Sequence, residues 1–172
     1  MTITLTELNA MSEEQFIDAL KDVFEHSPWV AEAAYRSAPF ASTEALHRTM
    51  MDVVRGAGEE TVLGLFRAHP DLATRLAISE LSTAEQQGVG LDRLTPEEFE
   101  TFSTLNRDYV AKFGFPFLFA VRGKTKDDIL EAMRRRLART FAEEREQALL
   151  EIERITGFRL RDLIDAAAGG AP

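Results

Sequence analysis

The stretch Phe113-Gly114-Phe115-Pro116-Phe117-Leu118-Phe119-Ala120-Val121-Arg122-Gly123 differs from the rest of the chain because its apolar residues are continuous instead of helically spaced. Pro116 has no backbone N–H and restricts the residue before it, so a helix is not expected to run through this stretch. The pattern predicts a buried, extended segment from Phe115 to Val121. A lone extended segment has no neighbouring strand, and its buried N–H and C=O groups need other hydrogen-bond partners. A polar ligand is one possible partner, and neighbouring side chains or water are the alternative.

Helix-start signals recur on both sides of this segment. Each is a Ser or Thr followed three residues later by an acidic residue or glutamine: Ser12 with Gln15, Ser82 with Glu85, Thr95 with Glu98, and Thr125 with Asp128. In such a capping box the two side chains bond to each other's backbone N–H groups and begin a helix. Apolar residues at helical spacing follow, as in Phe99, Phe102 and Tyr109. These signals predict helices along most of the chain.

Proline and glycine positions predict where other helices begin and end. Ser27 before Pro28 is typical of an N-cap followed by proline in the first helical turn. Gly56 is predicted to end a helix in the left-handed conformation, Gly114 to end the long helix before it, and Gly157 to interrupt the last helix. Together the patterns predict an all-α fold, a single-domain helical bundle of about eight to ten helices with one buried extended segment.

The composition limits the class of protein. A chain of 172 residues that is 45% hydrophobic can bury a full core, and we expect one domain over residues 1–172 with a flexible tail from about residue 167. The chain has no cysteine, which excludes thiolate catalysis and fits a reducing compartment. The formal net charge of −9 disfavours nucleic acid as a partner. No signal peptide or membrane-spanning run is visible, so we expect a soluble, cytoplasmic protein.

His69 is the residue that most clearly suggests chemistry. It lies in Ala68-His69-Pro70-Asp71, after a predicted helix that begins near Glu59, and Pro70 disfavours the α conformation at the residue before it. The imidazole is therefore expected at a helix end, where it can give or take a proton near neutral pH. The alternative is a simple turn in which Asp71 caps the next helix.

Other polar clusters have a structural interpretation. Glu44 and His47 have an E-x-x-H spacing on one helix face, but a di-metal bundle needs two such motifs and the sequence has one. The run Arg134-Arg135-Arg136, with Arg139, is expected on a solvated helix face balanced by nearby glutamates. The sequence contains no phosphate-binding loop, dinucleotide fingerprint or nucleophile elbow. We therefore expect activity without a metal or an organic cofactor.

Three motifs occur in a specific order: His69-Pro70-Asp71-Leu72-Ala73, then Ser82-x-x-Glu85-Gln86 with Gly90-Leu91 behind it, then Phe113-Gly114-Phe115-Pro116-Phe117 leading to Arg122. Together they resemble the 2-oxo-4-hydroxy-4-carboxy-5-ureidoimidazoline (OHCU) decarboxylase family of urate breakdown. The resemblance extends from the helix at Ser12 to Leu163. It implies an all-α fold, cofactor-free decarboxylation of a small-molecule ureidoimidazoline to S-allantoin, and a homodimer.

The resemblance also implies roles for individual residues. His69 would be the catalytic acid or base, and Glu85, the second catalytic residue, would address the substrate together with Gln86. The other residues lining the substrate pocket would be Pro70, Ser82, Phe117, Leu118, Phe119, Ala120, Val121 and Arg159. At Gly157 the chain departs from the family, which often has a basic residue there. Either Arg159 or Arg161 is then left to face the substrate, and we choose Arg159.

Two other classes of function fit parts of the sequence. A non-enzymatic helical interaction module accounts for the helices and the acidic surface, but not for an extended segment together with a helix-end histidine. A metal-dependent hydrolase would use His69, Asp71 and Glu85 as ligands, although zinc sites usually contain two or more imidazoles or thiolates. Metal analysis of the purified protein distinguishes the hydrolase from the decarboxylase.

Overall fold

The computed structural model of the chain describes residues 2–71 and 94–164. These ranges contain eight α-helices: α1 (Leu5–Asn9), α2 (Glu13–Leu20), α3 (Trp29–Tyr35), α4 (Thr43–Arg55), α5 (Glu59–Ala68), α6 (Pro96–Phe113), α7 (Lys126–Leu137) and α8 (Phe141–Leu163). The described residues contain no β-strand, and an isolated bridge pairs Ile3 with Ile164. The prediction of an all-α fold is confirmed. Within the same ranges, no helix has both the length and the apolar character needed to cross a bilayer.

Local capping sets three helix starts as the sequence predicts. Ser12, Thr95 and Thr125 each accept a hydrogen bond from the backbone N–H three residues on, and each receives the reciprocal bond from that residue's side chain. Gly114 ends α6 with φ of 77°, a left-handed conformation that glycine adopts without steric cost. Hydrogen bonds between sequence neighbours therefore explain where α2, α6 and α7 begin. The box predicted at Ser82 lies outside the described residues.

Two other predicted boundaries, at Ser27 and Gly157, are wrong, and so is the left-handed conformation predicted for Gly56, although α4 does end directly before Gly56. Pro28, not Ser27, occupies the N-cap position of α3, and the Ser27 hydroxyl instead donates to a backbone carbonyl. Gly56 has φ of −85° and keeps the right-handed conformation, with its N–H bonded to the carbonyl of Asp52. Helix α8 continues through Gly157 without a break. A glycine does not change the chain direction where the helical hydrogen bonds carry on past it.

A contact from α4 explains why a glycine lies inside α8. A side chain at position 157 would place its Cβ only 3.2 Å from the Cε1 atom of His47. The Nε2 of His47 lies 2.9 Å from the hydroxyl of Thr156, which holds the ring against this helix. Burial lowers the pKa of His47, Glu153 opposes that effect and Arg161 adds to it. The close packing of the His47 ring against α8 therefore leaves little room for a side chain at position 157.

The chain divides into two compact units. The first comprises Met1–Ala68 and Glu153–Pro172, and within it α3 packs against α2 and α4. Its core contains fully buried side chains such as Phe16, Leu46 and Phe66. The second unit comprises His69–Ile152, and within it α6 packs against α7. A single domain over the whole chain stays a prediction.

The predicted extended segment belongs to the second unit. Residues 115–121 form no helix, and all of them are buried except the half-buried Phe119. Aromatic contacts join the segment to α6, since the ring centroid of Tyr109 lies 5.3 Å from that of Phe117 and 6.0 Å from that of Phe115. The segment crosses an aromatic core, as its continuous apolar sequence predicts.

Candidate active site

His69 lies where the sequence predicts it, directly after α5. The helix ends at Ala68, and the exposed Pro70 follows outside it. His69 is only 5% exposed. Its Nε2 atom is buried and makes no hydrogen bond within residues 2–71 and 94–164, while the residue has other interactions with its surroundings. The chain directly after α5 therefore carries a buried imidazole.

Two buried charged side chains hold the backbone of the extended segment. Arg136 on α7 donates from Nη1 to the carbonyl oxygen of Leu118, at 2.7 Å. The N–H of Ala120 donates to Oε1 of Glu151 on α8, at 2.9 Å. Arg136 and Glu151 are each 1% exposed, so water does not compete for these bonds. At these two positions neighbouring side chains supply the partners, which was one of the two alternatives left open by the sequence.

Glu144 and Tyr109 complete a buried cluster around Arg136. The Nε of Arg136 donates to Oε1 of Glu144 at 2.8 Å, and the hydroxyl of Tyr109 donates to the same oxygen at 2.5 Å. The guanidinium also lies over the ring of Phe117, 4.4 Å from its centroid. Burial raises the pKa of the Tyr109 hydroxyl, so it stays protonated and acts as a donor. The opposite charges of Arg136 and Glu144 offset part of the cost of burying each one.

The prediction that the whole arginine run is solvated is wrong for Arg136. Arg134 and Arg135 are exposed, but Arg136 lies with Ile129 and Met133 on the buried face of α7. The spacing contained the signal, because Arg136 follows Ile129 by seven residues, or two helical turns. An arginine at an apolar position of a helix is buried with its partners instead of facing water.

Sequence reasoning also missed Glu144 and Glu151. Both are buried on α8 and are seven residues apart, with the buried Ala148 between them. The same helical spacing could have placed them on the inward face. What the spacing does not show is which groups they meet, since their partners come from the extended segment, from α6 and from α7.

Arg159 and Arg161, the two arginines considered for the substrate, have different surroundings in the first unit. Arg159 forms an ion pair with Glu25 at 2.6 Å and donates to the carbonyl of Val23 at 3.1 Å. Arg161 is exposed, and its guanidinium lies over the ring of Phe158, 5.2 Å from the centroid. Arg159 is therefore engaged with the chain that follows α2. Its contact with a substrate stays a prediction.

Three predicted site residues lie outside the part of the chain that the structure describes: Ser82, Glu85 and Gln86. The second unit contains His69, Pro70 and the whole segment from Phe117 to Val121. Among the described residues, no group of three or more His, Asp or Glu side chains is arranged to hold a metal ion. In the second unit, the described part of the candidate site offers the buried imidazole of His69 and a stretch of backbone bonded to Arg136 and Glu151.

Comparison with known proteins identifies the family. The sequence matches the OHCU decarboxylase family over residues 9–161. The 2-oxo-4-hydroxy-4-carboxy-5-ureidoimidazoline decarboxylase of Halalkalicoccus jeotgali is 42% identical over 161 residues, which are 94% of this chain and 92% of that protein. The uric acid degradation bifunctional protein PucL of Bacillus subtilis is 45% identical over 161 residues, but the chain spans only 33% of its length.

Solved structures agree with the sequence comparison. The crystal structure of an (S)-allantoin synthase has a TM-score of 0.81 at 30% identity and covers 95% of this chain, which matches 55% of that protein. A crystal structure of OHCU decarboxylase, at 23% identity and a TM-score of 0.68, shows the same fold. The fold and its relatives define an all-α carboxy-lyase of urate degradation. The chain belongs to the OHCU decarboxylase family, as the order of its motifs predicts.

Proposed function

We propose that this protein decarboxylates OHCU to (S)-allantoin without a cofactor, with His69 as the catalytic acid or base. The observation that carries the proposal is the burial of His69 at the end of α5, at the position where the family motif has its histidine. The relatives named OHCU decarboxylase support the reaction and the substrate. The neighbour described as (S)-allantoin synthase supports the handedness of the product.

The reaction requires few chemical groups. The carbon–carbon bond to the carboxylate breaks, carbon dioxide leaves, and the electron pair is delocalised into the adjacent ring system of the substrate. A proton must then be added to carbon on one face. An imidazole fixed beside that face delivers the proton, and solvent restores it to the ring. Protonation from a single side gives a single enantiomer.

The other predicted residues bind and orient the substrate. Glu85 polarises the substrate hydroxyl, and Ser82 and Gln86 contribute hydrogen bonds. The backbone from Phe117 to Val121 lines the pocket. The guanidinium of Arg159 offers a planar fork that suits a carboxylate or a ureido carbonyl. These assignments follow the family motif.

Substitution of His69 by asparagine tests the proposal. Asparagine keeps a polar side chain before Pro70, so the fold should change little, while kcat should fall by a factor on the order of 10² to 10⁴. Freshly oxidised urate supplies the substrate, and circular dichroism follows the optical activity of the allantoin. His26→Asn is the matched control, because His26 is exposed and has φ of 45°, a conformation that asparagine tolerates.

The expected result is that His69→Asn forms product at the background rate and without optical activity, while His26→Asn behaves as wild type. Fast formation of one enantiomer by folded His69→Asn would refute the assignment. If exhaustive chelation abolished turnover and one added metal restored it, the metal-dependent hydrolase would be favoured instead. The homodimer and the cytoplasmic location are predictions that sizing of the purified protein and localisation of the chain would test.

A further inference from the structure

The two edges of the extended segment are not equivalent. In an extended chain the N–H and C=O of one residue point to the same edge, and those of its neighbours point to the opposite edge. The bonds made by Leu118 and Ala120 therefore occupy one edge, which faces α7 and α8. By the same alternation, the backbone groups of Phe117 and Phe119 point to the other edge.

The second edge differs from the first in the hydrogen bonds that it makes to the protein. The backbone groups of Phe117 and Phe119 make no hydrogen bond to any residue in the described ranges, whereas the carbonyl of Val121 accepts from the N–H of Lys124. Phe119 is also the one residue of the segment that is half-buried instead of buried. A ureidoimidazoline carries urea-type N–H and C=O groups, which can pair with an extended backbone as a neighbouring strand does.

We propose that Arg136 and Glu151 are positioning residues that fix the register of the segment, so that the backbone groups of Phe117 and Phe119 face the substrate. The proposal rests on the proposed function. It adds which edge of the segment contacts the substrate and which residues hold the segment in that orientation. A shift of the segment by one residue would exchange the two edges. Two anchors on alternate residues prevent that shift.

The two anchors are themselves held in place. Glu144 and Tyr109 fix the guanidinium of Arg136, and Nε2 of Gln147 donates to Oε2 of Glu151 at 2.6 Å. Bonds to charged groups are shorter and stronger than bonds between neutral groups. Apolar side chains of similar volume would fill the same space without selecting an edge. The charged side chains of Arg136 and Glu151 therefore determine which edge of the segment faces α7 and α8.

Two substitutions at Glu151 separate positioning from general stability. Glu151→Ala removes the acceptor of the Ala120 N–H, whereas Glu151→Gln keeps an oxygen that can accept it. Because substrate and transition state use the same backbone edge, Glu151→Ala should raise KM about tenfold or more and leave kcat within about threefold. Glu151→Gln should restore KM to within about threefold of wild type. Glu146→Ala, at an exposed position of α8, is the control with wild-type kinetics.

Amide hydrogen exchange at Ala120 supplies a readout that does not depend on activity. Exchange should be at least about tenfold faster in Glu151→Ala than in wild type or in Glu151→Gln, because the amide loses its buried acceptor. A wild-type KM in Glu151→Ala, together with fast exchange at Ala120, would overturn the proposal. So would unchanged exchange at Ala120 in the alanine variant.

A second variant covers the case in which Glu151→Ala does not fold. Gln147→Met removes the donor to Glu151, together with the acceptor of a 3.4 Å bond from Arg139. The proposal requires a smaller rise in KM in this variant, and an unchanged KM would contradict it. If wild type formed no optically active allantoin, the proposed function would fail. In that event exchange at Ala120 in these variants still decides whether Glu151 holds the segment.

Discussion

Replacement of Arg136 by lysine measures how strongly the buried cluster stabilises the fold. Lysine keeps the positive charge but has a single nitrogen at its end, whereas the guanidinium bonds in two directions at once. Those two bonds reach Glu144 at 2.8 Å and the carbonyl of Leu118 at 2.7 Å. Lysine has three N–H donors, but its one nitrogen cannot occupy the positions of both Nε and Nη1, so at least one of the two bonds is weakened or lost. The substitution therefore leaves either a carboxylate or a carbonyl without its buried donor.

The size of the effect follows from these contacts. A hydrogen bond to a charged group contributes about 1.5–3 kcal/mol, and breaking a buried ion pair outright costs about 3–5 kcal/mol. Because lysine retains the charge, we expect Arg136→Lys to lower the free energy of unfolding by roughly 2–4 kcal/mol. For a chain of this size each kcal/mol lowers Tm by about 2–4 °C, so the expected decrease in Tm is about 4–16 °C.

Urea unfolding followed by far-ultraviolet circular dichroism measures the loss. Arg135→Lys is the matched control, since Arg135 is the exposed neighbour on the same helix. That variant should stay within about 0.5 kcal/mol of wild type. A loss below about 1 kcal/mol for Arg136→Lys, with an unchanged m-value, would show that the cluster contributes little to stability.

Two further predictions concern the first unit. Burial lowers the pKa of His47 from its ordinary value of 6.5, so this residue stabilises the folded state fully above that pH and loses its contribution as the pH falls below it. His47→Gln should therefore flatten the dependence of the unfolding free energy on pH below 6.5. An unchanged slope in urea titrations at several pH values would contradict this prediction. Arg159→Lys should weaken transition-state binding by roughly 1–3 kcal/mol, measured as kcat/KM, whereas Arg161→Lys should have little effect. The reverse ranking would reassign the substrate-binding role to Arg161.

The sequence predicts those parts of the fold that depend on neighbouring residues. Thr95 and Thr125 begin helices because their partners stand three residues away, so the sequence alone contains the whole interaction. Gly114 ends α6 for a similar reason, since only the conformation of one residue is involved. The position of His69 follows from its neighbour Pro70 and is equally local.

Features that depend on distant residues were not predicted. Gly157 permits close approach of His47, more than 100 residues earlier in the chain, so its effect on α8 could not be read from the sequence around it. The burial of Arg136 was visible in its helical spacing, but its bond to the carbonyl of Leu118 depends on tertiary packing. Because charged residues on helices are mostly solvated, the sequence did not indicate that Arg136 and Glu151 bind the backbone of the segment.

The packing of His47 against Gly157 restricts the order in which this chain can change during evolution. A larger residue at position 157 would meet the imidazole at 3.2 Å, so the ring would have to shift by a few tenths of an ångström unless the side chain at position 47 has already become smaller or turned away. A lineage that takes the two steps in the opposite order passes through an overpacked intermediate. The same residue at position 157 can therefore be harmless in one relative and damaging in another, depending on the ancestral residue at position 47.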